Sequence, residues 1–91
     1  MRVKVRQLRS QSTGNSVANQ FEIWTPRGYF FQSYNSIILF KCNKTGKTYL
    51  DKNDWDYSST TGKYRNQVLG ENISQTRAKI NQGIYKLKNL N

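Results

Sequence analysis

Apolar and polar residues alternate at the very start of the chain. Val3 and Val5 are separated and flanked by three cations, Arg2, Lys4 and Arg6. A period of two is typical of a β-strand, because successive side chains of a strand point to opposite faces. We therefore expect a first strand whose valines face the core and whose cations face solvent.

The pattern after this strand predicts a loop and then a hairpin. Residues 10–19 are polar, contain one glycine and show no apolar period, so we expect a mobile loop there. Residues 21–25 alternate again, and Pro26-Arg27-Gly28 supplies a turn before the aromatic run of residues 29–34. Two antiparallel strands are therefore expected over residues 21–34.

A second pair of strands follows. Residues 37–42 are almost continuously apolar, which is typical of a strand with both faces covered and predicts a central place in the sheet. The segment Asn43-Lys44-Thr45-Gly46 is rich in turn residues, and a further strand is expected over residues 47–51.

Two short helices are predicted late in the chain. The first lies between Ser58 and Gly70, because hydroxyl residues supply an N-cap and the glycine suits the C-terminal cap. The second is expected to be capped by Ser74, to end at Gly83 and to bury three isoleucines, Ile73, Ile80 and Ile84. Alternation returns over residues 84–90 and predicts a last strand.

Strands that come first and helices that come late indicate an α+β fold. We expect an antiparallel β-sheet of about five to six strands with two short helices near the C-terminus. The length of 91 residues suits one domain, spanning residues 1–91.

The charge balance is strongly basic and unevenly distributed. Fifteen Lys and Arg residues against five Asp and Glu give a net charge of +10. Residues 51–56 are acidic, whereas the segments before and after them are basic. Self-repulsion at this charge density disfavours a compact state, so an anionic partner would relieve it. An AT-rich genome also raises Lys and Asn content, but it does not explain six arginines or so few acids.

Several classes of protein are disfavoured by composition. No apolar run approaches the ~20 residues of a membrane-spanning helix, and charges occupy the place of a signal peptide's apolar region. We therefore expect a cytoplasmic protein without a membrane partner. The chain has no histidine, the commonest general base and metal ligand, and Cys42 is its single cysteine, expected to be buried and inert. These features predict a non-enzymatic protein without a metal or cofactor.

The binding signals are better developed. An aromatic side chain on a strand beside Arg is a platform on which a nucleic-acid base can stack. Tyr29 and Trp24 are therefore the candidate stacking residues. Hydroxyls and free backbone N–H groups at the start of the first helix are typical of an anion site near cations, and equally of plain N-terminal capping. The predicted nucleic-acid-binding residues are Arg2, Lys4, Arg6, Arg9, Arg27, Tyr29, Ser59, Thr60, Lys63 and Arg65.

The segment Tyr57-Ser58-Ser59-Thr60-Thr61-Gly62-Lys63-Tyr64-Arg65 resembles a group of small uncharacterised proteins encoded by phages and plasmids of low-GC bacteria. The likeness also includes Trp55-Asp56, Phe31-Gln32-Ser33-Tyr34 and Leu69-Gly70, and covers about residues 20–90. The resemblance implies an accessory role in a mobile element, without an established activity or site.

Two functions follow from these observations. The first is a nucleic-acid-binding accessory protein whose basic surface follows a phosphate backbone, with DNA favoured over RNA. The alternative is an anti-CRISPR-like inhibitor of a host defence protein, acting by binding to an acidic or nucleic-acid-binding protein.

Overall fold

The computed structural model describes residues 2–91, which form five strands, two helices and a final strand. The elements are β1 (Lys4–Arg9), β2 (Ser16–Thr25), β3 (Gly28–Ser33), β4 (Ser36–Cys42), β5 (Thr48–Asp51), α1 (Ser59–Leu69), α2 (Ile73–Asn81) and β6 (Tyr85–Lys88). Strands that precede two late helices confirm the predicted α+β fold. Within residues 2–91, no helix combines the length and apolar character needed to cross a membrane.

The six strands form one sheet in the order β1-β2-β3-β4-β5-β6. Neighbours from β1 to β5 are antiparallel, as predicted, but β6 runs parallel to β5, with Thr48 opposite Tyr85 and Leu50 opposite Leu87. The sheet is therefore mixed, and the expectation of a wholly antiparallel sheet is wrong at this edge. The two helices return the chain to the starting end of β5, which is the crossover that parallel neighbours require.

The core lies on one side of the sheet, beneath the two helices. Phe31, Leu39 and Leu50 face each other on neighbouring strands and are fully buried. They pack in one cluster with Tyr64 of α1, and Ile80 of α2 lies against it. We call this side of the sheet the helix face and the opposite side the open face. Residues 38–40 of β4 are all buried, which confirms its predicted central character.

Local chemistry sets the ends of α1 as expected. The hydroxyl of Ser58 accepts a hydrogen bond from the backbone N–H of Thr61 at 3.1 Å. Gly70 ends the helix with a left-handed backbone at φ 68°. Both predicted caps are confirmed.

The second helix starts two residues earlier than predicted. Asn72, not Ser74, is its N-cap, because the side chains of Asn72 and Gln75 each accept the other's backbone N–H at 2.9 Å. The predicted buried stripe is wrong at Ile84, which is 55% exposed, and Thr76 is the fully buried residue of α2.

The N-terminal expectations need two corrections. Val3 and Val5 are more than half exposed, and Leu8 is the buried residue of β1. The register puts Val5 on the open face opposite Ile23, where no helix covers it. Residues 16–19 belong to β2, so the predicted loop is limited to residues 10–15, which Ser10 closes with a backbone hydrogen bond to the Asn15 carbonyl at 2.9 Å.

Candidate nucleic-acid interface

Two aromatic rings lie between two cations across four neighbouring strands on the helix face. Lys4 of β1 lies opposite Trp24 of β2, Trp24 opposite Tyr29 of β3, and Tyr29 opposite Lys41 of β4. The ring centroids of Trp24 and Tyr29 are 5.6 Å apart. The Nζ of Lys4 lies 5.6 Å from the Trp24 ring, and the Nζ of Lys41 lies 5.7 Å from the Tyr29 ring. We call these four residues the basic–aromatic row.

The carboxylate of Glu22, two residues before Trp24 on the same face of β2, binds side chains in and beside the row. Glu22 accepts hydrogen bonds from Nη2 of Arg6 at 2.8 Å and from the hydroxyl of Tyr29 at 2.9 Å. The guanidinium of Arg6 also lies 5.1 Å from the Trp24 ring. Burial and then the charge of Glu22 raise the pKa of Tyr29 far above its ordinary value. Tyr29 therefore stays protonated and its ring is held in place.

An open groove of about 580 Å³ lies between this row and α1. Its sheet side includes Trp24 and Tyr29, and its helix side includes Gln67 and Val68. The remaining lining residues are Leu8, Gln11, Glu22, Lys41 and Asn43. Two aromatic rings with nearby amides and a cation form a surface that suits a planar group with hydrogen-bonding edges.

The row brings together only part of the predicted set. Lys4, Arg6 and Tyr29 meet there, whereas Arg2 is exposed before β1. Arg9 donates to the carbonyl of Gly14 at 3.0 Å and lies at the β1–β2 turn. Arg27 is exposed in the β2–β3 turn and lines a different hollow. The predicted cations thus occupy several surfaces rather than one.

The start of α1 forms a second groove, of about 600 Å³. Ser59 and Lys63 line it, and Thr60 is exposed beside them. Asp56 lines the same groove, and its carboxylate forms ion pairs with Arg65 and Arg77.

The prediction that Arg65 belongs to the nucleic-acid interface is wrong, because its side chain is only 1% exposed. Its Nη1 donates to the carbonyl of Trp55 at 2.7 Å and to Asp56 at 3.1 Å, and its Nη2 donates to Asn66 at 3.0 Å. A buried guanidinium needs such partners to offset its loss of hydration. Arg65 holds the segment before α1 in place and does not face a phosphate backbone.

The acids of the chain are largely occupied within the fold. Glu22, Asp56 and Glu71 form ion pairs with four of the fifteen cations: Arg6, Arg65, Arg77 and Lys79. Asp51 is 1% exposed and accepts backbone N–H groups. Eleven cations in residues 2–91 therefore have no carboxylate within ion-pair distance. The surface thus has many unpaired positive charges and few free carboxylates.

Sequence reasoning missed Glu22 and Lys41. The short turn at residues 26–28 makes the Trp24–Tyr29 pairing predictable, and Glu22 lies two residues before Trp24 on the same face. Lys41 lies opposite Tyr29 because a β-bulge shifts the register of β3 and β4 between Phe31 and Gln32. No sequence pattern predicted this bulge. Cys42, expected to be buried, is partly exposed at the end of β4.

Metal ligands are sparse in the part of the chain that the structure describes. No three His, Cys, Asp or Glu side chains gather there at distances suited to one metal ion.

Comparison with known proteins identifies a family. No curated protein matches the chain, and no solved structure matches it. One family model matches residues 3–85, which is nearly the whole chain, and it is described as a family of unknown function (DUF8033). The chain belongs to this family.

Proposed function

We propose that this protein is a non-enzymatic nucleic-acid-binding accessory protein of a phage or other mobile element, with single-stranded DNA as its preferred ligand. The observation that carries the proposal is the basic–aromatic row, which sets Trp24 and Tyr29 between Lys4 and Lys41 beside an open groove. The resemblance to phage and plasmid proteins supports the biological setting.

The chemistry of the row supports a single strand over a duplex. Bases in a duplex are already stacked on one another, whereas an unpaired base is free to stack on a protein ring. Cations on either side of the rings suit the phosphates that flank such a base. Glu22 and the amides of Gln11 and Gln67 offer hydrogen-bonding partners to a base edge in the groove.

The eleven cations without a carboxylate partner support the electrostatic part of binding. If about five phosphates are neutralised, log K should fall with log salt at a slope of about −3.5 on single strands and about −4.5 on duplex DNA. A labelled oligothymidylate and a duplex of equal length, titrated by fluorescence anisotropy at several salt concentrations, give both slopes.

Matched variants separate the row from overall charge. Trp24→Leu should weaken binding to the oligothymidylate about 5- to 150-fold, the loss of one stacked base. Tyr49→Leu removes a ring from the open face and should change binding less than about twofold. Lys4→Ser should reduce the salt slope by about 0.7, and Lys88→Ser should leave it nearly unchanged.

The proposal fails if neither single- nor double-stranded DNA or RNA binds at low salt. Equal weakening by Trp24→Leu and Tyr49→Leu would also contradict it, because binding would then not depend specifically on the basic–aromatic row.

A further inference from the structure

The open face carries an apolar row that spans five strands. Val5, Ile23, Phe30, Phe40 and Tyr49 lie directly opposite one another from β1 to β5. The rings of Phe30 and Phe40 stack with centroids 4.5 Å apart, and those of Phe40 and Tyr49 with centroids 6.0 Å apart. We call this set the open-face row.

No element within residues 2–91 covers this row. Both helices pack against the helix face, and the core cluster contains none of the five side chains. Val5 is 59% exposed, and Ile23, Phe30 and Tyr49 are each partly exposed. The exposed face of an antiparallel sheet is ordinarily polar, so an apolar row of this length indicates an interaction surface.

The surroundings of the row are basic. Lys86 lies opposite Tyr49 at one end, and the Nζ of Lys88 lies 5.5 Å from the Tyr49 ring. Beside Phe40, a hollow of about 350 Å³ is bordered by Arg27 and Lys44. All four cations are exposed.

Within residues 2–91, none of these four cations has a carboxylate at ion-pair distance. Glu22 belongs to the helix face, and Glu71 is tied to Lys79 near α2. Asp51 lies opposite Lys88, but its carboxylate is buried and accepts hydrogen bonds from backbone N–H groups. The border of the open-face row is therefore complementary to negative charge.

The same features disfavour two other occupants. A second copy of the chain, packed through this face with two-fold symmetry, would bring like cations together around the row. A nucleic acid needs free ring faces for stacking, but Phe40 is only 9% exposed between the rings of Phe30 and Tyr49. The edges of the rings remain, and these suit apolar side chains.

We propose that the open face docks a partner protein whose contact surface has an apolar or aromatic centre bordered by Asp and Glu. The hollow beside Phe40 accepts the apolar side chain, while Arg27, Lys44, Lys86 and Lys88 face the surrounding carboxylates. This surface is separate from the basic–aromatic row and does not depend on nucleic-acid binding.

Three synthetic peptides of equal length test the chemistry of the partner. One has Phe, Leu and Tyr between flanks of Glu, the second has Ser in place of the apolar residues, and the third has Lys in place of Glu. At about 150 mM salt, the acidic apolar peptide should bind at least about tenfold more tightly than either control. Its binding should shift the methyl and ring NMR signals of Val5, Ile23, Phe30 and Tyr49, and leave those of Leu8 and Trp24 in place.

Two double variants with the same net charge as each other test where the peptide binds. Lys86→Glu with Lys88→Glu should weaken the acidic apolar peptide about tenfold, and Lys4→Glu with Lys63→Glu should weaken it less than about threefold. An oligothymidylate should show the reverse order, so failure of one surface is distinguishable from failure of the other.

Two apolar variants test the row itself. Ile23→Thr should weaken the acidic apolar peptide about threefold to tenfold, and circular dichroism checks that the variant folds. Val5→Thr alters the exposed edge of the row, where folding is less at risk, and should weaken the peptide about twofold.

Four results would overturn the proposal. Equal affinity for the Ser-containing peptide would show that charge alone suffices, and equal affinity for the Lys-containing peptide would show that apolar contact alone suffices. NMR shifts of the open-face row on adding oligothymidylate would assign this face to nucleic acid. Shifts of the same signals with protein concentration would assign it to a second copy.

Discussion

Nη1 of Arg65 in α1 donates a hydrogen bond across 2.7 Å to the main-chain carbonyl of Trp55, ten residues earlier. Its guanidinium also lies 5.1 Å from the centroid of the Trp55 ring. The segment before α1 is thus fastened to the second turn of the helix by one side chain, through a hydrogen bond to the backbone and a contact with an aromatic ring.

Removing this fastening should cost stability. We expect Arg65→Met to lower the free energy of unfolding by about 3 kcal/mol, because Asp56 and the Trp55 carbonyl lose a buried partner. Arg77→Met removes the other cation that pairs with Asp56, but Arg77 is 60% exposed, so the loss should stay below about 1 kcal/mol. Urea denaturation measures both values, and equal losses would show that Arg65 has no special structural role.

Gly28 should not accept a side chain. Its backbone has φ 153°, and a Cβ there would overlap the carbonyl oxygen of Lys41 and approach Cε1 of Phe40 at 2.8 Å. We expect Gly28→Ala to lower the free energy of unfolding by about 3 kcal/mol or more.

Gly46→Ala is the matched control for this substitution. Gly46 has φ 72° and open space around its Cα, so the loss should be only about 1 kcal/mol from backbone strain. Thermal or urea unfolding of both variants makes the comparison. A similar cost at the two sites would mean that β3 and β4 separate easily enough to admit a methyl group.

Glu71 should contribute to an acid-dependent loss of stability. Burial opposes ionisation, but hydrogen bonds from Lys79, Thr76 and Tyr85 outweigh it and lower the pKa of Glu71. A lowered pKa in the folded state means that this contribution is fully present above the unfolded Glu value of about 4.3 and is lost as the pH falls through the folded value.

Urea denaturation from pH 7 to pH 2 should therefore show a smaller acid-dependent decline in Glu71→Gln than in the parent protein. The two proteins should converge in stability at the acidic end. Asp54→Asn, in the turn after β5, serves as the control, because this carboxylate forms no ion pair within residues 2–91. An unchanged decline in Glu71→Gln would show that Glu71 does not contribute to the acid-dependent loss of stability.

Cys42 should react as a partly exposed thiol of lowered pKa. The Thr45 hydroxyl, followed by the Thr45 backbone N–H, stabilises the thiolate by hydrogen bonding and lowers the pKa of Cys42. The rate of alkylation by iodoacetamide should therefore reach half its maximum below the usual pH of about 8.5. Thr45→Val should move this midpoint upward and Thr13→Val, in the β1–β2 turn, should not; the reverse order would contradict the assignment to Thr45.

Patterns carried by neighbouring residues were predictable from the sequence. The turn at Pro26-Arg27-Gly28 and the caps Ser58 and Gly70 depend on side chains and backbone preferences within a few residues. The alternation of residues 21–25 specifies a strand for the same reason. The α+β fold, the first helix and the Trp24–Tyr29 pair therefore follow from local chemistry.

Distant neighbours decided the remaining features. Lys63 and Arg65 stand two residues apart in one helix, yet Lys63 is exposed and Arg65 is buried, because only Arg65 points toward Trp55 and Asp56. Alternation placed Val5 and its flanking cations on opposite faces of β1, but it did not say which face the helices would cover.

The amino-acid sequence by itself thus determined the strands, the first helix and the excess of positive charge. The tertiary structure decided that β6 pairs in parallel with β5, that Lys41 completes the basic–aromatic row and that the open-face row lies uncovered. The physical reason is that turns and caps are stabilised by contacts a few residues apart, whereas burial and register depend on which distant surfaces pack together.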